Sequence, residues 1–286
     1  MAGAGHRAHD GRSARHGGRE LSVRIASAIV MGVLAIAAAY AGGALFLAFC
    51  ALAALGIWWE WASLAAGREA HAAMASGAAA QIAAGFFLGA GRIAAAVACL
   101  AAGAVAALAL TPAGRRGWTA LGVLYAGAML VAPVLLRGDP QMGLRAVIFL
   151  FAVVWTTDTV AYFAGRALGG PKLAPRLSPN KTWSGALGGA AGGVLAAVVM
   201  AAAAQLGSWV SLAIVGLFLS TAAQAGDLFE SAFKRQYGAK DASHLIPGHG
   251  GLMDRLDGFI AAALLAVVLG VLRGGTEAPA RGFLVW

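Results

Sequence analysis

Hydrophobic positions along this chain come in long unbroken blocks rather than in alternation with polar ones. The first block opens after Arg24 and reaches Trp59. A bilayer crossing takes about 20 apolar residues, so this block is too long for one. Ala41, Gly42 and Gly43 offer a tight reversal inside it, which predicts spans over 25–41 and 44–64. Between Arg68 and Arg115 the ionisable interruptions are Glu69, His71 and Arg92, and dividing at Arg92 gives spans over 74–91 and 93–111. Five further blocks predict spans over 118–136, 146–165, 184–204, 209–231 and 257–272. The pattern predicts an all-α, polytopic membrane helix bundle of about nine transmembrane helices. It lacks the apolar/polar alternation of a membrane barrel.

Composition agrees. Sixty per cent of the residues are hydrophobic and 12% are charged, about half the charged share of a soluble domain. Too few polar residues remain to cover a surface in water, and disorder is excluded over most of the length. The net charge of +9 would suggest nucleic acid in a soluble protein. Here its distribution matters more, and no nucleic-acid partner is expected. With nine spans, Arg92, Arg137, Arg145, Arg273 and Arg281 fall on one side, and the remaining sixteen of the 21 basic residues fall on the other. The positive-inside bias then puts the N-terminus and both long polar loops in the cytoplasm. The resulting organisation is a disordered basic tail (1–23), five spans (24–140), a catalytic region of four spans with two polar loops (141–275) and a C-terminal tail (276–286). Cys50 and Cys99 lie in apolar runs and read as packing residues.

Acids concentrate in the last half of the chain. Asp158 lies inside span six, and Asp227 and Glu230 lie in the last turns of span eight. Ionisable groups at such depth are costly and usually face a polar cavity. Asp227, Ser231 and Lys234 are spaced to share a helix face. Pro247, Gly248, His249, Gly250 and Gly251 form a turn whose glycines let backbone approach a ligand. Asp254 and Asp257 follow three residues apart at the start of span nine. The other polar loop carries Lys172, Arg176, Ser178, Asn180, Lys181 and Thr182, with Ser178 or Thr182 open to cap span seven instead. Carboxylates suit Mg²⁺, which bridges substrate phosphates. Lys and Arg suit the phosphate oxygens themselves. Fixed acids mixed with bases point to a metal–phosphate site, without a P-loop motif. Gly185, Gly189 and Gly193, four residues apart in span seven, read as helix packing.

The segment SAFKRQYGAKDASHLIPGHGGLMDRLD, residues 231–257, resembles the signature of the phosphatidate cytidylyltransferase (CDP-diacylglycerol synthase) family, with its fixed positions filled. Thr157, Asp158 and Thr159 with Ala161 and Tyr162, and the run from Leu173 to Trp183, resemble the same family. Ser184 departs from it, standing where an acid is common, and so does Val160, where a small residue is common. The resemblance implies that CTP and phosphatidic acid give CDP-diacylglycerol and pyrophosphate. It also implies Mg²⁺ with room for a second cation, a homodimer, and residence in the bacterial cytoplasmic (inner) membrane with the active site facing the cytoplasm.

On that basis Asp227 and Asp254 are expected to be the main metal ligands, and Asp257 or Glu230 to serve a second ion or the surroundings of the first. Lys234, Lys181, Arg235 and Lys240 would bind phosphate oxygens. His249, Gly250 and Gly251 would shape the nucleotide turn, with Ser178 and Asn180 as hydrogen-bonding groups. Asp158 would orient a lysine or line the lipid's way in. Asp241 and Arg255 are placed on the substrate side, and Arg255 has structural pairing with Asp241 or Asp257 as its alternative. Two rival functions stand beside this one. A CTP-dependent lipid-alcohol kinase would yield a phospholipid and CDP. A cation-coupled transporter would predict broken helices and internal repeats, whereas these acids gather toward one face.

Overall fold

The computed structural model describes residues 25–67, 70–246 and 250–286. The basic tail, Arg68, Pro247, Gly248 and His249 lie outside the described residues. The chain folds as α1 (Ile25–Ala41), α2 (Gly43–Ala65), α3 (His71–Gly89), α4 (Ile93–Leu110), α5 (Arg116–Arg137) and α6 (Gly143–Leu168). It continues through a hairpin of β1 (Lys172–Ala174) and β2 (Ser178–Thr182) to α7 (Trp183–Ala203), α8 (Trp209–Gln236), α9 (Met253–Gly274) and α10 (Pro279–Leu284). Among the described residues, eight helices, α2 to α9, are long and apolar enough to cross a membrane, and α1 is a shorter apolar one. The polytopic bundle read from hydropathy is therefore the fold.

The reversals fall where the sequence placed them. Gly42, at a φ of 62°, turns α1 into α2, a conformation that a residue with a Cβ seldom takes. Arg137 of α5 closes this turn by donating from Nε to the Ala39 carbonyl at 2.6 Å and from Nη2 to that of Tyr40 at 3.4 Å. A cation thus satisfies carbonyls that the end of α1 leaves free. Helix ends reach past the apolar windows: α8 continues to Gln236 through Lys234 and Arg235, and α9 begins at Met253. Asp254 is therefore already helical, in the first turn of α9.

Three features position the site. The first is a close seam between α6 and α7. A Cβ on Gly185 would lie 2.9 Å from the Ala161 carbonyl, and one on Gly189 would lie 3.0 Å from that of Thr157. Such contact needs small residues on one helix. Gly189→Leu is expected to force the helices apart and to destabilise the chain by about 1–3 kcal/mol, read as a lower unfolding temperature in detergent. Across the seam Thr157 Oγ1 donates to Ser220 Oγ at 2.9 Å, which links α6 to α8. The second is an aromatic cluster. Trp61 of α2 stacks on Phe233 of α8 at 3.7 Å and 14°, touches Tyr125 and Phe229, and donates from Nε1 to the Trp118 carbonyl at 2.7 Å. The third is the β-hairpin, antiparallel with Lys172 opposite Thr182 and Ala174 opposite Ser178. It leads directly into α7, where the Thr182 side chain caps the helix by accepting from Gly185 N at 3.1 Å.

The segment 276–286 is packed rather than loose. Phe283 of α10 is buried, edge-on to Phe149 of α6 at 5.5 Å. Arg273 donates to the Gly282 carbonyl at 2.5 Å and lies over the Trp286 ring at 3.5 Å.

Candidate active site

The C-terminal half of α8 carries two kinds of side chain. Phe229 and Phe233, one turn apart, join the aromatic cluster with α2 and α5. Asp227, Glu230 and Lys234, spaced three and four, line a cavity of about 1000 Å³. Burying the aromatics fixes the rotation of α8 and so turns the charged positions inward. Asp158 and Arg166 of α6, Asn180 and Lys181 of the hairpin, Asp241 of the following loop, and Asp254, Arg255 and Asp257 of α9 line the same cavity. Asp227 and Asp254, read as partners from the sequence, thus open onto one space.

Within that space the charges form two groups. Lys234 Nζ lies 2.5 Å from Asp254 Oδ1 and 2.7 Å from Glu230 Oε2. Asp254 Oδ2 accepts from the backbone N–H groups of Ala242 at 3.0 Å and Gly251 at 2.8 Å. One carboxylate therefore joins α8, α9 and the loop between them. In the second group Lys181 Nζ lies 2.5 Å from Asp227 Oδ2 and ties the hairpin to α8. Asp257 Oδ1 accepts from the N–H of Gly258 at 2.8 Å. Among the described residues Glu230 Oε1 is buried without a hydrogen-bond partner, an arrangement that costs free energy unless a cation or donor is supplied.

Other sequence candidates lie elsewhere. Ser178, Arg235, Lys240, Gly250 and Gly251 are outside the cavity lining. Arg235 fastens the hairpin to the end of α8, donating to the carbonyls of Leu177 at 3.3 Å and Ala239 at 2.8 Å. At Gly251 the close approach of backbone is to two carboxylates: a Cβ there would meet Glu60 Oε1 at 2.8 Å and Asp254 Oδ2 at 3.0 Å. His249 is outside the described residues.

Glu60 was missed by the sequence reading. It sits in α2, fully buried, and accepts from Ser243 Oγ, Leu252 N and Met253 N at 2.6, 2.7 and 2.6 Å. The signal was present, because a lone acid inside an apolar span calls for partners.

Among the described residues six carboxylates and five basic side chains line the cavity, so their formal charges nearly cancel. Among the described residues no three metal-ligating side chains form a ready-made cage. The donor set nevertheless suits Mg²⁺, which takes one or two protein carboxylates and completes its coordination with water and substrate phosphate. The unpartnered oxygen of Glu230 fits the same use.

Fold and site together define a polytopic membrane protein with a charged, hydrophilic cavity built from the ends of its helices. The chain belongs to the cytidylyltransferase family, whose model matches residues 22–272. It is 45% identical over 265 residues to a Brucella suis protein named phosphatidate cytidylyltransferase, covering 92% of this chain and 98% of that one. A Brucella abortus protein of the same name is 46% identical over 254 residues, 88% of this chain and 94% of its own length. A Bacillus subtilis protein, again so named, is 41% identical over 145 residues, 50% of this chain and 54% of the other.

Proposed function

We propose that this membrane enzyme transfers the cytidylyl group of CTP to phosphatidate, yielding CDP-diacylglycerol and pyrophosphate for phospholipid biosynthesis. The observation that carries the reading is the cavity in which Lys234 is held between Glu230 and Asp254, with the Lys181–Asp227 pair lining the same space. The names of the near-full-length relatives support it. A phosphate oxygen of phosphatidate forms a bond to the α-phosphorus of CTP, the bond from that phosphorus to the β-phosphate oxygen breaks, and pyrophosphate departs. A phosphomonoester already bears an ionised oxygen near neutral pH, so the chain has no need of a strong base. Its task is positioning and charge balance.

Lys181 and Lys234 would meet phosphate oxygens that displace their present carboxylate partners or compete with them, and Arg255, which lines the same cavity, would join them. A triphosphate and a phosphomonoester bring far more negative charge than this nearly balanced cavity can offset. Asp227, Asp254, Asp257 and Glu230 would hold Mg²⁺ there. When bound, the ion neutralises phosphate charge. The reading includes a homodimer in the bacterial cytoplasmic membrane, with the cavity facing the cytoplasm. The distribution of Lys and Arg along the chain favours that orientation.

Incubating purified protein with CTP, phosphatidic acid and Mg²⁺ is expected to give CDP-diacylglycerol and pyrophosphate. A phosphorylated lipid alcohol with CDP would instead identify a kinase. Orientation is checked at Lys240, which is exposed on the loop after α8. A Lys240→Cys chain, with Cys50 and Cys99 replaced by alanine, is expected to react with an impermeant maleimide only after the cells are opened. Labelling of intact cells would reverse the orientation.

A further inference from the structure

We infer that Glu60 is a positioning residue for this transfer: from α2 it sets where the α9 carboxylate Asp254 meets Lys234 of α8. The inference rests on the cytidylyl-transfer reading and adds to it a residue far from the signature segment. Three observations carry it. The Glu60 carboxylate is buried and receives the N–H groups of Leu252 and Met253, which open α9, together with the Ser243 hydroxyl of the preceding loop. Free N–H groups at a helix start need acceptors, and here a single side chain from a distant helix provides them. Next, Gly251 passes between Glu60 and Asp254 with no room for a side chain, so the two carboxylates grip the same stretch of loop. Finally, Trp61, the next residue of α2, stacks face to face on Phe233, the residue before Lys234. Two consecutive residues of one rigid helix thus register α9 and α8 against each other, and the product of that registration is the 2.5 Å contact between Lys234 and Asp254. Glu60 itself does not line the cavity, so it acts through Asp254 rather than on substrate.

The test separates positioning from mere stability. Glu60→Gln keeps size and removes one acceptor, leaving an amide NH₂ against backbone N–H groups. A misplacement of about 1 Å in a reacting group costs about 100-fold in rate, so kcat is expected to fall about 100-fold. KM for CTP and for phosphatidate should move by less than about threefold, because the cavity residues all remain. Hydrogen exchange at the Leu252 and Met253 amides should accelerate. Trp58→Phe is the control: Trp58 is buried on the same helix, but donates to the Met74 carbonyl of α3 at 2.9 Å and not to the loop. It is expected to lower the unfolding temperature with kcat retained. If both variants lose activity in proportion to lost folded protein, or if Glu60→Gln keeps wild-type kcat, the inference is overturned. Should Glu60→Gln fail to fold, Ser243→Ala removes the hydroxyl's bond to Glu60, along with the one it accepts from Leu245 N, and leaves the helix start intact. It is expected to lower kcat about fivefold, and unchanged kcat there overturns the inference as well. Exchange at the α9 amides is read without substrate. A wild-type chain that makes no CDP-lipid would thus sink the function independently of this result.

Discussion

Asp254→Ala is expected to abolish CDP-diacylglycerol formation and to weaken the fold in the same step. The side chain is almost wholly buried and serves three donors: Lys234 Nζ and the N–H groups of Ala242 and Gly251. Removing one partner of a buried charge pair costs about 3–5 kcal/mol, mostly because the other charge is stranded. Each N–H group left without an acceptor adds about 1–3 kcal/mol where water cannot reach it. The backbone at Ala242 and at Gly251 then loses the acceptor that ties it to α9. Asp254→Asn keeps an acceptor oxygen and the shape, so it should recover much of the unfolding temperature without recovering transfer. An alanine variant that melts with the wild type, or still turns over, would contradict the role given to this carboxylate.

Asp227→Asn is expected to behave differently, with transfer falling about 10²–10³-fold while the unfolding temperature barely moves. The loss is of the size seen when a preorganised charged or polar group is removed from a reacting centre. The lack of a stability effect follows from exposure: the side chains of Lys181 and Asp227 are 27% and 39% accessible, and exposed ion pairs contribute only about 0–1 kcal/mol. The exchange Lys181→Asp with Asp227→Lys sharpens the comparison. It preserves an ion pair between hairpin and α8 but moves the carboxylate to the hairpin and the ammonium to α8. If the pair were only a clasp, the exchanged chain would be active. Under the proposed function it stays inactive, measured as CDP-lipid formed per folded protein.

Much of this architecture was legible in the residue pattern. Lipid demands that backbone hydrogen bonds close within each span, so hydropathy alone identifies the helices. Arg92 and the Gly42–Gly43 pair marked true reversals. Hydropathy sees the bilayer-sized part of a helix, however, and not its polar extension. That is why α8 runs on past residue 231 and α9 begins before residue 257. The hairpin escaped because its strands are three and five residues long, too short for alternation to register. Asp227, Lys181, Lys234 and Asp254 could be selected because they crowd into two polar segments whose spacing repeats on helix faces. Glu60 could not be placed that way, since its partners are 183 to 193 residues away in the chain. Only the fold brings them together. Arg235 was selected for its charge and its place in the motif, and the fold adds what the pattern does not carry: its guanidinium also donates to two backbone carbonyls.

The glycine contacts between α6 and α7 have a consequence for how a bulky, two-tailed molecule can come and go. With Val160, Ala161 and Ala164 of α6 set directly against the glycine backbone of α7, little side-chain volume lies between the two helices to repack, so the pair behaves as a single plank. Shear of the kind that opens many helical proteins is a small sliding of packed helices, which contacts this close resist. Under the proposed function, breathing of the chamber would then fall to its other walls, the hairpin at the plank's end and the α8–α9 corner, which are fastened by lysine–carboxylate clasps open to competition from an arriving anion.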